Sequence, residues 1–284
     1  MKSPLLCVTL VRWRRAAAGL LAILSPVSKA QTVHSWGSNP YGQATVPAGL
    51  ENVTSVSAGW DFSTALRSDG TVVAWGRNDN NQSAVPAGLS GVVGIESGHY
   101  HSLGLKADGT VVAWGAYPTV PSSLNAVTAI SAGLHSLALK ADGTVVAWGL
   151  NESGQTVVPA NLNGVVAVAA GEGHSLALKA DGSVVGWGQN TQGQITIPAG
   201  LGPVKAIAAG AYHSMALKMD GTVAAWGLNT FGQLNIPAGT TDVIAVSAGT
   251  NHSFAIKSDG TPVTWGRTVP GALSLPGSLA APRR

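Results

Sequence analysis

Beyond residue 30 the chain alternates short apolar runs with breaks built from Gly, Pro, Asn and Asp. One stretch shows the pattern: AVTAISAG (126–133), HSLALK (135–140), TVVAWG (144–149) and QTVVP (155–159). Each run is strand-length and rich in Val, Ala, Leu or Thr, and none has a sustained helical period. The pattern predicts four strands, A to D. Lys-Ala-Asp-Gly-Thr joins B to C as a hairpin, because a tight turn needs the positive φ that Asp-Gly supplies. Strand A is small and suits a crowded inner position. Strand D ends in Pro, which cannot donate to a ladder and so belongs at an edge.

The pattern repeats. Trp-Gly begins at 36, 75, 114, 148, 187, 226 and 265, so the spacing is 39 residues except for one of 34. Asp-Gly recurs at 69, 108, 142, 181, 220 and 259 with the same spacings. His-Ser recurs at 101, 135, 174, 213 and 252, and Phe62-Ser63 takes its place in the first full repeat. A residue that returns once per repeat solves a problem every repeat shares, and that problem is folding. Alternation puts His135, Leu137 and Leu139 on one face of strand B, and Thr144, Val146 and Trp148 on one face of strand C. The repeated Trp is large enough to fill the space between neighbouring sheets. Small residues inside and Pro outside is the order of a propeller blade.

The consensus AxGxHSLALKxDGTVxAWGxNxxGQxxVPAGL resembles the regulator of chromosome condensation repeat, in its short bacterial form. The resemblance covers about residues 33–270 and implies an all-β fold, a β-propeller of the seven-bladed type. The same short-repeat class includes a secreted bacterial propeller that inhibits β-lactamases. Read this way, residues 31–270 make six complete four-stranded blades plus a partial seventh. The chain enters at strand C, TVHSWG (32–37), and a D segment, QATVP (43–47), follows. After Gly266 no AGxxHSLALK element returns to complete that blade. Residues 271–284 form a tail in which 272–279 offer one extra strand. Three outcomes stay open: a truncated reading frame, a partner that fills the gap, or an imperfectly closed ring. The third full repeat is also short, because 115–121 lacks the Asn-x-x-Gly-Gln loop.

Composition changes the picture at the N-terminus. Arg12, Arg14 and Arg15 precede the apolar run AAAGLLAILSPV (16–27), and Ser28-Lys29-Ala30 places small residues before Gln31. This is the anatomy of a secretory signal peptide over residues 1–30. The run is too short to span a membrane comfortably, and no run after residue 30 approaches that length. Five of the 16 Lys and Arg lie in residues 1–30, whereas all 13 Asp and Glu lie beyond it. The remaining chain therefore has eleven basic against thirteen acidic side chains, which offers nucleic acid no basic footprint. Cys7, the one cysteine, is also in the leader, so the exported chain holds no disulfide. The expected location is the periplasm, the cell surface or the medium.

The His, Ser and Asp of HSLALKADG invite a hydrolase reading. Each of these His sits on its own blade, beside leucines on the same strand face, with no Cys or carboxylate at ligand spacing. The Ser sits in a strand with no nucleophile elbow, and the Asp is a turn residue. The Asn and Gln of the GxNxxGQ loops read as loop-fixing. No catalytic residue, cofactor or metal ligand is therefore assigned, and the chain is expected not to be an enzyme.

Residues that break the repeat carry more information. Because strands alternate in direction, the A–B and C–D loops emerge at one end, and this end varies from blade to blade. Its A–B positions include Trp60, Asp61, Phe62, His99, Tyr100, Glu172, Tyr212 and Asn251; Tyr41 and Phe231 come from C–D loops. Aromatic anchors with polar neighbours on loops are the composition of a binding face. The expected function is a secreted, monomeric binding propeller whose partner is an exported or surface protein, or a glycan. An inhibitor of an enzyme is one form of it. Structural cell-surface module and guanine-nucleotide exchange, the latter implied by the family's namesake, are the alternatives.

Overall fold

The structure is a computed structural model that describes residues 33–267 apart from Trp36. The signal-peptide and C-terminal-tail assignments lie outside the described residues. Eighteen strands form six three-stranded antiparallel sheets. The sheets are β1 (Val53–Ala58), β2 (Phe62–Arg67) and β3 (Val72–Gly76); β4 (Val92–Ser97), β5 (His101–Lys106) and β6 (Val111–Gly115); and β7 (Val127–Ala132), β8 (His135–Lys140) and β9 (Val145–Gly149). The other three are β10 (Val165–Ala170), β11 (His174–Lys179) and β12 (Val184–Gly188); β13 (Val204–Ala209), β14 (His213–Lys218) and β15 (Val223–Gly227); and β16 (Val243–Ala248), β17 (His252–Lys257) and β18 (Pro262–Gly266). Within each sheet the order follows the chain. No helix occurs among the described residues.

Strands A, B and C of the six full repeats are therefore present and D is not, and 33–35 and 37 of the entering segment, expected to be a further strand C, are not strand. The segments expected to be D are turns followed by irregular chain. Two features of their own sequence explain this. Their side chains occupy their own backbone donors: Asn151 Oδ1 accepts from the Thr156 amide at 3.0 Å, and Gln155 Oε1 accepts from the Ser153 amide at 2.8 Å. The segment then ends in Pro, which has no N–H to offer a ladder. The same Asn and Gln bonds recur at Asn39 and Gln43, Asn78 and Gln82, Asn190 and Gln194, and Asn229 and Gln233.

The B–C hairpin has a common geometry. The Gly143 amide donates to the Lys140 carbonyl and the Lys140 amide to the Thr144 carbonyl, while Gly143 alone takes positive φ, at 79°. Asp142 Oδ1 accepts from both the amide and the hydroxyl of Thr144. Asp is thus a turn residue, and Gly supplies the left-handed conformation.

The cores lie between sheets. Leu137 and Leu139 of β8 pack with Ala177 of β11 and Trp187 of β12, and the equivalent residues do so at the following junctions. The middle strands are consequently buried on both faces. Successive inner strands also pack side by side from β1 through β4, β7, β10 and β13 to β16. β16 has no comparable packing with β1, so among the described residues no strand-to-strand packing joins the first and last sheets. Val33, from the entering segment, packs against the cluster of Val53, Ala65 and Trp75 in the first sheet.

Candidate functional site

Three of the five junctions between sheets are tied by a hydrogen-bond relay that a histidine begins; the first junction has Phe62 in place of His and keeps only the Ser102 and Trp114 bonds to the Gln82 carbonyl, and the second has only the His101–Ser136 contact. His135 Nε2 lies 2.7 Å from Ser175 Oγ; Ser175 Oγ donates to the Gln155 carbonyl at 2.9 Å, and Trp187 Nε1 donates to the same carbonyl at 2.9 Å. Because the Ser proton goes to the carbonyl, the Ser oxygen accepts, and His135 carries its proton on Nε2. The same relay joins His174, Ser214, Gln194 and Trp226, and then His213, Ser253, Gln233 and Trp265. Burial drives the pKa values of His135 and His213 down to about 3, and those of His101, His174 and His252 to about 4. These imidazoles are neutral, and those of His135, His174 and His213 donate to the serine of the next blade. Among the described residues no three His, Cys, Asp or Glu side chains stand together as a metal cage.

The variable end is different. The A–B loops bring Trp60, His99 and Tyr100 into one cluster, with ring centroids 4.7 Å apart for Trp60–His99, 5.4 Å for Trp60–Tyr100 and 5.9 Å for His99–Tyr100. Burial lowers the His99 pKa to about 4, so its 3.3 Å approach to Glu172 Oε1 is that of a neutral ring, not an ion pair. Glu172 also accepts the Tyr212 hydroxyl, which raises the Tyr212 pKa to about 12. Burial raises the Glu172 pKa, and the Tyr212 hydrogen bond only partly offsets it. Residues from four A–B loops thus meet around one mouth.

That mouth opens on an axial cavity of about 90 Å³. Its walls are the small ends of the inner strands, such as Ala58-Gly59, Ser97-Gly98 and Ala170-Gly171, and Trp60, His99 and Glu172 stand at its rim. Two C–D loops contribute outer aromatic sites. Tyr41 is 40% exposed with the Arg77 guanidinium 5.2 Å from its ring centre, and Phe231 is 41% exposed under Arg267 at 5.0 Å.

Two of the predicted residues are not available to a partner. Phe62 is fully buried, packed beside Gly59 where the other repeats hold His. Asp61 is buried too; it accepts from Gln43 Nε2 at 3.1 Å and lies 3.7 Å from Arg77 Nη1. Asn251 is half-buried, and its carbonyl accepts from the Arg267 amide.

The sequence reading passed over Arg77, which bridges Asp61 and Asp79, and Glu96. Glu96 is the sole carboxylate on an inner strand, at the register held by Ser57, Ser131, Ala169, Ala208 and Ser247 elsewhere. Burial pushes its pKa up to about 8. A charged residue interrupting a run of Ser and Ala was the available signal.

Comparison with solved structures returns the same architecture. The Prp20p structure from Saccharomyces cerevisiae, described with its binding properties to Gsp1p and histones, matches at 20% identity and TM-score 0.69, over 93% of this chain and 81% of that one. The structure of Kap60 bound to yeast RCC1 (Prp20) matches at 21% and 0.66, over 78% and 71%. The CRINKLY WD40 ectodomain of the Arabidopsis thaliana receptor kinase ACR4 matches at 23% and 0.68, over 84% and 89%. At these identities the likeness is one of fold. No curated protein sequence matches the chain. The repeats themselves match the model described as "Regulator of chromosome condensation (RCC1) repeat" at residues 53–82, 92–116, 127–155, 165–194 and 204–233, just over half of the chain. The periodic Trp-Gly, the relay it anchors and this match together place the chain in the RCC1 repeat family.

Proposed function

We propose that this chain is an exported, non-catalytic binding propeller that docks a protein partner on its variable end. One observation carries the reading: side chains that break the repeat, drawn from four blades, converge at a single mouth. Trp60, His99, Tyr100, Glu172 and Tyr212 are partly exposed there, whereas the repeated His, Ser, Gln and Trp are consumed by the fold. Rigid aromatic anchors around a polar centre are the composition of an interface hot spot. Prp20 offers a parallel in a relative that binds proteins, since it was solved with Kap60 and studied with Gsp1p and histones. The ACR4 propeller, an ectodomain, offers a parallel for an exported location. The leader-like residues 1–30 support export, and eleven basic against thirteen acidic side chains beyond residue 30 argue against nucleic acid. An inhibitor of an exported enzyme is one form of this function, with a surface glycan as the alternative ligand.

In the same reading the propeller is of the seven-bladed type and monomeric. Residues 33–47 are the outer part of a seventh blade, and the five Pro-ended segments are outer edges of the blades. The lack of strand packing between the first and last sheets among the described residues favours a second reading, a structural cell-surface module in which a neighbouring segment completes the ring.

Affinity capture from exported proteins and surface glycans separates the two. The bait is residues 31–284, alongside the same chain with Trp60→Ala, Tyr100→Ala and Tyr212→Ala. A ligand held by the first and lost by the second, with unchanged circular dichroism, is the expected result. Equal capture by both baits rules out this face.

A further inference from the structure

The two ends of the propeller differ in charge. Lys106, Lys140, Lys179, Lys218 and Lys257 all close the B strands at the constant end, where three of them reach the turn Asp at 3.6–3.9 Å. Among the described residues the cations of the variable end are Arg77 and Arg267. Arg77 is held by Asp79 at 2.7 Å and Asp61 at 3.7 Å, and Arg267 covers Phe231. Glu172 has no such partner. Its neighbours are the Tyr212 hydroxyl and neutral His99, and no Lys or Arg offsets the burial that raises its pKa.

This carboxylate stands at the rim of the axial cavity beside the Trp60 ring, and small residues form the wall below. Each part suits one feature of an organic cation. The carboxylate attracts the charge in a setting drier than bulk water. The aromatic face attracts it again. A narrow wall of Ala and Gly accepts unbranched methylenes while the charged head stays at the polar rim. An anion meets Glu172 repulsion.

We infer that the mouth of the shaft receives a lysine side chain of the partner, an ammonium group on an unbranched stem held between Glu172 and Trp60. This rests on the docking reading above and names the chemistry of its central contact.

The probe is n-butylammonium chloride, titrated into the full chain while the tryptophan indole N–H resonances are followed by NMR, with Trp60 assigned from a W60F variant. The controls are n-butanol and n-butyrate. The expected result is a saturable shift of the Trp60 resonance with the ammonium alone, weakened at least fivefold by E172Q and by raised salt. Gln keeps an acceptor for Tyr212, and unchanged resonances of Trp187 and Trp226 report an intact fold. No shift with the ammonium, an equal shift with butanol, or undiminished binding by E172Q each overturns the inference. If that happens while the triple alanine bait still loses a captured protein, the docking face stands and only its lysine chemistry is removed.

Discussion

Trp187 Nε1 donates to the Gln155 carbonyl, 2.9 Å away on the loop of the preceding blade, whereas the buried Nε1 of Trp148 has no hydrogen-bond partner. The difference follows from the chain. The short third repeat has no Gln before Trp148, so the relay at that junction stops at His101 and Ser136, 2.8 Å apart. Trp→Phe removes similar apolar contact at both sites but deletes a bond only at Trp187. A net buried hydrogen bond is worth about 0.5–1.5 kcal/mol. Trp187→Phe is therefore expected to cost about 1 kcal/mol more than Trp148→Phe in urea unfolding. Equal costs would mean that the Gln carbonyl adds nothing net.

The inner ring makes a second prediction. A Cβ on Gly171 would lie 2.5 Å from the Gly210 carbonyl oxygen and 2.6 Å from His174 Nδ1, inside both van der Waals limits. One neighbour is backbone of the next blade and the other is a buried ring, so neither can retreat without opening the junction. Gly193, by contrast, has open space around it and a φ of 79°. Gly193→Ala is expected to cost about 1–2 kcal/mol, the left-handed backbone term alone. Gly171→Ala is expected to cost more than about 3 kcal/mol or to prevent folding. Thermal midpoints of the two variants check this, and similar losses would contradict the close packing around the shaft.

How much of this was legible in the sequence depends on what repeats. Strand B was readable to the residue, as HSLALK is β8, because a turn and a period bound it on both sides. The hairpin Asp and the loop Asn and Gln were readable as structural because each recurs. The D segment misled: Val-Val-Pro has strand composition, but the preceding Asn and Gln spend the local donors on a loop. Phe62 misled in the same way, because a loop-adjacent aromatic was read as exposed when it replaces a core His. The meeting of Glu172 with His99 was out of reach. They lie two blades apart, and only the curvature of the ring brings them to 3.3 Å.

The buried histidines set the acid limit of the fold. An unfolded chain titrates them near 6.5, whereas burial holds them at about 3–4 in the folded state. Their folded pKa is depressed, so the stability they permit is present above about 6.5 and is lost as pH falls toward 4. Each residue withdraws roughly 1.4 kcal/mol per pH unit through that window. The thermal midpoint is expected to fall steeply between pH 6.5 and 4. His174→Phe, which copies what Phe62 does in the first repeat, is expected to make that decline shallower by one proton. A midpoint flat down to pH 4 would show that the rings are protonated in the folded state.

Glu96 has the opposite sign. Its folded pKa is raised by burial to about 8, from an ordinary value near 4.5. A raised carboxyl contributes stability that is complete below about 4.5 and is lost as pH climbs through 8, because the folded state then holds a charge on a half-buried side chain that water solvates incompletely. Gln has nearly the same shape and no charge. Glu96→Gln is thus expected to match the parent chain near pH 4.5 and to exceed its thermal midpoint increasingly up to about pH 8, beyond which the difference levels off. The comparison across pH isolates ionisation from packing, since any change in fit acts equally at both ends. A constant offset between the two chains would mean that Glu96 ionises freely within the ring, through water reaching the inner strand.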